Sequence, residues 1–156
     1  MAASLSCVVY RVNDEIVLAG QPQPEEMIRL REQGFRSVLN IRTDAERGTE
    51  EGRNAEAARL AYAFLPLPAY ELRPEHVRAF GETIRRLPKP IFFHCRTASR
   101  TGLLWLLHRL LNDGWPREAA EAELRAAGYD DDAFEVFEFC VEDFFERLNE
   151  AQQSTL

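Results

Sequence analysis

The sequence predicts an α/β fold, a three-layer sandwich with a mostly parallel central sheet of about five strands flanked by helices. Two observations carry that expectation. Short β-rich runs alternate along the chain with segments of helical apolar spacing, the pattern of strands joined by crossover helices. Proline opens and glycine closes several of the helical segments, which matches the asymmetry of helix ends. At 156 residues the chain suits one domain with a sizeable core. No linker, repeat or low-complexity tract divides it, so a single domain is expected over 1–150, with 151–156 a frayed tail.

Taken in order, Ser6–Val12 and Glu15–Leu18 read as strands joined by an Asn13-Asp14 hairpin turn. Pro24 to Gly34 reads as a helix with Met27, Ile28 and Leu30 on its apolar side. Ser37–Ile41 is a short buried strand, followed by an expected charged loop from Arg42 to Gly52. A short Ala-rich helix from about Arg53 to Leu60 then leads to a strand over Tyr62–Leu67. Pro66 and Pro68 end that strand, Ala69–Arg73 forms a loop, and Pro74 starts a helix with Val77, Phe80, Ile84 and Leu87 at helical spacing. Lys89-Pro90 turns the chain into a strand over Ile91–His94. An apolar helix pattern, Leu103 to Leu111, stops at Asn112-Asp113-Gly114. Pro116 opens a further helix that ends at Gly128. The last helix carries Phe134, Phe137, Val141, Phe144 or Phe145, and Leu148 on one stripe.

Composition narrows the function. A hydrophobic fraction of 46% with 29% charged residues is that of an ordinary soluble protein. No stretch approaches the ~18 continuous apolar residues of a membrane span. Met1–Cys7 has no basic n-region before an apolar run, so a cytoplasmic location is expected. The three cysteines, Cys7, Cys95 and Cys140, are odd in number and widely spaced, which argues against a disulfide framework. The histidines, His76, His94 and His108, have no paired metal-ligand spacing with them, so neither a metal nor a cofactor is expected. His76 and His108 read as helix-surface or partly buried residues, and Trp105 as core. A formal net charge of −7 argues against a nucleic-acid partner, and an acidic protein that binds an anion must concentrate positive charge locally. Arginine supplies almost all of the basic residues; Lys89 is the only lysine.

The chemistry concentrates in His94-Cys95-Arg96-Thr97-Ala98-Ser99-Arg100-Thr101. A thiol at the carboxyl end of a strand, facing a helix N-terminus, lies where ligands bind in such sheets and where a thiolate is stabilised. If the loop curls, backbone N–H groups from Arg96 to Thr101 form a nest for an oxyanion, and the helix dipole adds to it. Arg100 can return to the same anion with two parallel hydrogen bonds. The alternative is a buried core cysteine beside a surface arginine, but the polar loop at the strand-to-helix switch favours the chemical reading.

This stretch resembles the loop of cysteine-dependent phosphatases of the protein-tyrosine and dual-specificity superfamily, which begins His-Cys and ends in arginine. Cys95-Arg96-Thr97-Ala98-Ser99-Arg100 with Leu103-Leu104-Trp105 is more narrowly similar to a bacterial dual-specificity-phosphatase-like family, also found fused to β-lactamase-hydrolase-like domains. Gly20-Gln21-Pro22-Gln23-Pro24-Glu25 and Asn40-Ile41-Arg42-Thr43-Asp44 fit the same family, so the resemblance spans about residues 15 to 130. It implies a dual-specificity-phosphatase-like fold and hydrolysis of phosphomonoesters through a phosphocysteine on Cys95. A phosphorylated protein or small phosphoester would be the substrate, with no metal, membrane or nucleic acid involved. Arg100 would hold the phosphoryl oxygens; Arg96, Thr97, Ala98, Ser99, Thr101 and Arg42 would line the pocket. Thr101 could also donate a hydroxyl to the departing thiolate, and His94 would orient the loop.

Two departures keep other readings open. Most phosphatases of the superfamily place five residues between cysteine and arginine, whereas here there are four. Rhodanese-type sulfurtransferases share the four-residue spacing, so a Cys95 persulfide is the alternative, and a phosphate-binding module with weak turnover is a third. Ala98 stands where such loops often carry glycine, and a positive φ there would strain alanine by ~1 kcal/mol or more. The general acid is also displaced, since the segment Leu67–Leu72 that should supply an aspartate has none. Glu71 is the candidate by position, against a solvated loop carboxylate. Asp44, beyond the strand Ser37–Ile41, is the second candidate, against an ion pair that closes its loop.

Overall fold

The computed structural model describes residues 4–154. Five strands pair in one sheet in the order β1 (Val9–Arg11), β2 (Ile16–Ala19), β5 (Ile91–His94), β3 (Ser37–Asn40), β4 (Ala61–Phe64). β2, β5, β3 and β4 run parallel, and β1 alone is antiparallel, on the edge beside β2. The expected mostly parallel sheet of about five strands is what the chain builds. The Asn13 carboxamide forms the expected hairpin turn by accepting from the Glu15 and Ile16 amides at 2.8 and 2.9 Å.

Alternation along the parallel strands divides the core into two layers. Ile16, Leu18, Leu39, Ile91 and Phe93 face a cluster closed by α3 (Pro74–Arg86), α4 (Ser99–Leu111), α5 (Arg117–Ala127) and α6 (Asp131–Ser154). Val17, Ala19, Val38 and Phe92 face the other side, covered by α1 (Met27–Glu32) and α2 (Ala45–Ala57). Both faces of β5 are therefore buried, which explains why Ile91, Phe92 and Phe93 are continuously apolar. The aromatic stripe of α6 packs as its spacing predicts: Phe134, Phe137, Val141 and Phe144 are all buried.

Several elements differ from the sequence reading. The expected loop over Arg42–Gly52 is instead most of α2, and the Ala-rich segment after it is the same helix's end. Its inner face is Gly48, Glu51 and Ala55, with no large apolar residue to give a helical period. A Cβ on Gly48 would lie 2.6 Å from the Phe64 ring, so the helix backbone rests on β4 at a distance only glycine allows. Pro24–Glu26 is a 3-10 turn that leads into α1, and Gly34 ends the unit at φ 99°. β1 is shorter than Ser6–Val12 because the Ser6 amide and hydroxyl turn away to the Glu26 carboxylate, at 2.8 and 2.5 Å. Residues 151–154, expected to fray, continue α6, while 155 and 156 lie outside the described residues. His108, expected at the surface or partly buried, is 6% exposed.

Candidate active site

β5 delivers Cys95 between two parallel neighbours that fix the strand end. The Cys95 amide donates to the Ala19 carbonyl at 3.2 Å, and the His94 carbonyl accepts from the Ile41 amide at 3.3 Å. Cys95 is 1% exposed, and α4 begins four residues later at Ser99, one turn earlier than the apolar pattern predicts. Arg100 and Thr101 therefore lie in the first helical turn, at its positive dipole end. Arg96, Thr97 and Ser99 are exposed on the loop, and the Thr97 hydroxyl donates to Ser99 Oγ at 3.3 Å. Among the described residues neither the Arg96 nor the Arg100 side chain has a hydrogen-bonded or ion-paired partner, so two guanidinium groups are unspent on this loop and the first turn of α4.

The loop is closed by its own carbonyls. Arg96 O accepts from the Gln21 amide at 3.1 Å, and a Cβ on Gly20 would come within 3.1 Å of that oxygen. Ala98 adopts φ 71°, ψ 0°, the left-handed conformation that alanine disfavours. Its carbonyl accepts from the Tyr129 hydroxyl at 2.7 Å, the Thr101 hydroxyl at 2.9 Å and the Gly102 amide at 3.2 Å. Tyr129 stacks on Tyr10 at 4.0 Å between ring centroids, and burial raises its hydroxyl pKa, so it stays a donor. The Thr101 hydroxyl, expected to serve the departing thiolate, donates here to Ala98 O, inside the loop.

His94 faces away from the open side of the loop. Its Nδ1 lies 3.2 Å from the Cys95 carbonyl oxygen, and its Nε2 lies 2.7 Å from Glu51 Oε2. The Glu51 carboxylate also accepts from Gln21 Nε2 at 2.7 Å, and Gln21 Oε1 accepts from Arg42 Nη1 at 2.8 Å. Burial works against charge on Glu51, but the bonds from His94 and Gln21 outweigh it and hold its pKa below the usual carboxylate value. Glu51 escaped the sequence reading because it was placed in a charged loop. In a helix whose inner positions are Gly48, Gly52 and Ala55, a carboxylate at that register must be buried and so must have a partner.

The two acid candidates are placed differently. Asp44 is the N-cap of α2: it accepts from the Arg47 amide at 3.2 Å and pairs with Arg47 Nε at 3.5 Å. With Arg42, Gln21, Asn40 and Glu51 it borders a cavity of about 240 Å³. Glu71 is exposed, has φ 60°, and makes no hydrogen bond or ion pair among the described residues. It borders a groove shared with Leu103, one turn into α4 from the loop. No group of three or more His, Cys, Asp or Glu side chains among the described residues could hold a metal ion. No helix among them is long and apolar enough to cross a membrane.

This arrangement can be set beside known proteins. Residues 9–112 match the family described as beta-lactamase hydrolase-like protein, phosphatase-like domain. The chain belongs to this family. A beta-lactamase hydrolase-like protein from Xylella fastidiosa is 31% identical over 127 residues, and one from Agrobacterium fabrum 30% identical over 125. These alignments cover 78% and 77% of this chain but only 30% and 29% of the relatives, so the chain spans about a third of their length. Among solved structures, a provisionally assigned phosphatase from Neisseria meningitidis has a TM-score of 0.70 at 20% identity, covering 84% of this chain and 96% of that one. P. aeruginosa TpbA has a TM-score of 0.63 at 21% identity, covering 86% and 83%. TpbA is also known in complex with pTyr, in a structure with a TM-score of 0.61 to this chain. The fold is therefore that of phosphatases of the protein-tyrosine type.

Proposed function

We propose that the chain is a cysteine-dependent phosphatase that hydrolyses phosphomonoesters, phosphotyrosine or a smaller phosphoester, through a phosphocysteine on Cys95. The observation that carries this reading is the loop itself: a thiol at the end of a central parallel strand, a loop braced from behind, and two arginines with unpaired side chains, Arg96 on the loop and Arg100 in the first turn of α4. A dianionic phosphoryl group meets all of these at once. The known pTyr complex of TpbA supports phosphotyrosine as one substrate class.

In the proposed cycle the Cys95 thiolate attacks phosphorus in line as the bond to the leaving oxygen breaks. Arg100 binds the equatorial oxygens bidentately, with backbone amides of the loop, and Arg96 adds positive charge at the rim. The general acid gives its proton to the leaving oxygen, and its carboxylate then accepts a proton from the water that cleaves the S–P bond. Glu71 is the acid this reading favours, because its carboxylate is uncommitted while that of Asp44 caps α2.

The purified protein is expected to release p-nitrophenol from p-nitrophenyl phosphate between pH 5 and 7. Cys95→Ser and Arg100→Ala should each lower kcat/KM by about a thousandfold or more, as loss of a nucleophile or of transition-state charge stabilisation does. Thiocyanate formation from thiosulfate and cyanide without phosphate release would overturn the phosphatase in favour of a sulfurtransferase. Phosphate binding without turnover in either assay would leave a binding module.

A further inference from the structure

Helix α6 carries two apolar stripes, and the core uses only one of them. Phe134, Phe137, Val141 and Phe144 are buried, but Val136 and Phe139, three residues apart on another face, are 54% and 73% exposed. Tyr70, on the loop after β4, is 83% exposed. These three side chains border one groove of about 260 Å³, lined also by the buried Leu103 and Leu107 of α4. Cys140 adds a half-buried thiol; burial and the Asp143 charge raise its pKa, so it stays neutral there. The groove continues from the thiol loop along α4. Arg100, Leu103 and Leu107 are spaced three and four apart, so they share one face of that helix. At 1.5 Å per residue, Leu103 lies roughly 4–5 Å and Leu107 roughly 10 Å along the axis from Arg100. Glu71, the acid that the proposed cycle favours, borders the same groove.

We propose that this groove is a leaving-group subsite, and that the chain's substrates are phosphomonoesters with an uncharged, apolar leaving group reaching past a single ring, a preference set by Tyr70 and Phe139. The proposal rests on the phosphatase reading. With the phosphoryl group on Arg100, the leaving oxygen lies toward Glu71, and the rest of the ester runs over Leu103 and Leu107 between the loop and α6. The charges around the groove select the same ligand. Arg147 is spent, since its Nε donates to Asp143 at 2.9 Å and its Nη1 to the Leu72 carbonyl at 2.9 Å. The other charged groups on the groove are the carboxylates of Glu71 and Asp143, which repel a second anionic group but not an apolar one. Size argues for a small molecule and against a folded partner. Three exposed apolar side chains fall well short of the roughly 800 Å² that each partner buries in a stable protein interface.

Phenyl phosphate and biphenyl-4-yl phosphate, esters of phenols of nearly equal acidity, make the test. Wild type should favour the biphenylyl ester in kcat/KM by about tenfold to a hundredfold, the worth of burying one further ring. Phe139→Ser and Tyr70→Ser change exposed positions and should bring that ratio close to unity. A general loss of folding would instead lower both rates and leave the ratio as it was. Benzylphosphonate and (biphenyl-4-yl)methylphosphonate, which the enzyme cannot hydrolyse, carry the same comparison to binding, measured by calorimetry. A wild-type ratio near unity while phenyl phosphate is turned over leaves the phosphatase standing and overturns the subsite. A biphenylyl preference that survives both substitutions puts the apolar group elsewhere and also overturns it. If neither ester is hydrolysed, the phosphatase reading falls, and the phosphonate ratio in wild type and Phe139→Ser still decides whether the groove takes an apolar group. Sedimentation of wild type as a dimer and of Phe139→Ser as a monomer would make the groove an interface between copies and overturn the proposal.

Discussion

Ala98 keeps a left-handed backbone at φ 71° because three donors converge on its carbonyl and the flanking strand and helix leave it no other course. The conformation costs an alanine about 1–2 kcal/mol relative to glycine, and glycine gives back about 0.4–1 kcal/mol in unfolded-state entropy. Ala98→Gly should therefore raise the free energy of unfolding by roughly 0.5–1 kcal/mol, measured by urea denaturation. A loss of stability would mean that the loop is relaxed as it stands. At this scale Cys95, Arg100 and the suspect alanine were legible in the sequence, because each sits at a strand-to-helix switch whose chemistry is local. Glu51 was not, because its meaning depends on a contact with His94 forty-three residues away. Thr101 adds a contact of the same kind: its bond to the Ala98 carbonyl follows from the path of the loop, which the sequence does not print.

At the scale of elements, α2 is where sequence and structure part. Amphipathic helices announce themselves by large apolar residues at helical spacing, and α3 and α6 do so. α2 packs by subtraction, with Gly48 and Gly52 against the Phe64 and Tyr62 rings, so its buried face reads as polar and small. What did mark the helix was its cap, Asp44, which drew attention as a possible acid instead. The two roles separate in a pair of substitutions. Asp44→Ala should cost about 1 kcal/mol of stability by loss of the cap, while Asp44→Asn, also a good cap, should cost much less. If Asp44 only caps, Asp44→Asn keeps the full pH–rate profile, whereas Glu71→Gln loses its alkaline limb, the mark of a missing general acid. The opposite pattern in p-nitrophenyl phosphate kinetics would transfer the acid to Asp44.

Across the whole molecule, three groups that tie the core layers to their loops, His108, Glu26 and Glu51, have lowered pKa values. Burial lowers the pKa of His108 from its ordinary 6.5, against the pull of Asp113 and with help from Arg109 and Arg85. The geometry agrees: the Asn112 amide donates to His108 Nδ1 at 2.8 Å, which needs a lone pair there, and leaves Nε2–H for Asp113 at 3.3 Å. Glu26, which ties Ser6 and Gln23 to the start of α1, and Glu51 both have pKa values below the ordinary 4.5. A lowered folded-state pKa means that the unfolded chain binds the proton more readily, so each group's stabilisation is complete above its unfolded value and drains as pH falls. Stability should therefore decline in two stages, first below about pH 6.5 as His108 titrates and then below about 4.5 as the carboxylates do. Relief of repulsion among the net −7 charges as the pI of about 5.1 is approached acts in the opposite direction, so wild type alone is an ambiguous witness. His108→Gln separates them: it leaves the net charge at pH 7 and the carboxylates unchanged but removes the first stage. The difference in urea midpoint between wild type and His108→Gln should shrink to the disadvantage of wild type as pH falls from 7 to 5. A difference that stays constant over that interval would show that His108 is as easily protonated in the folded protein as in the unfolded one.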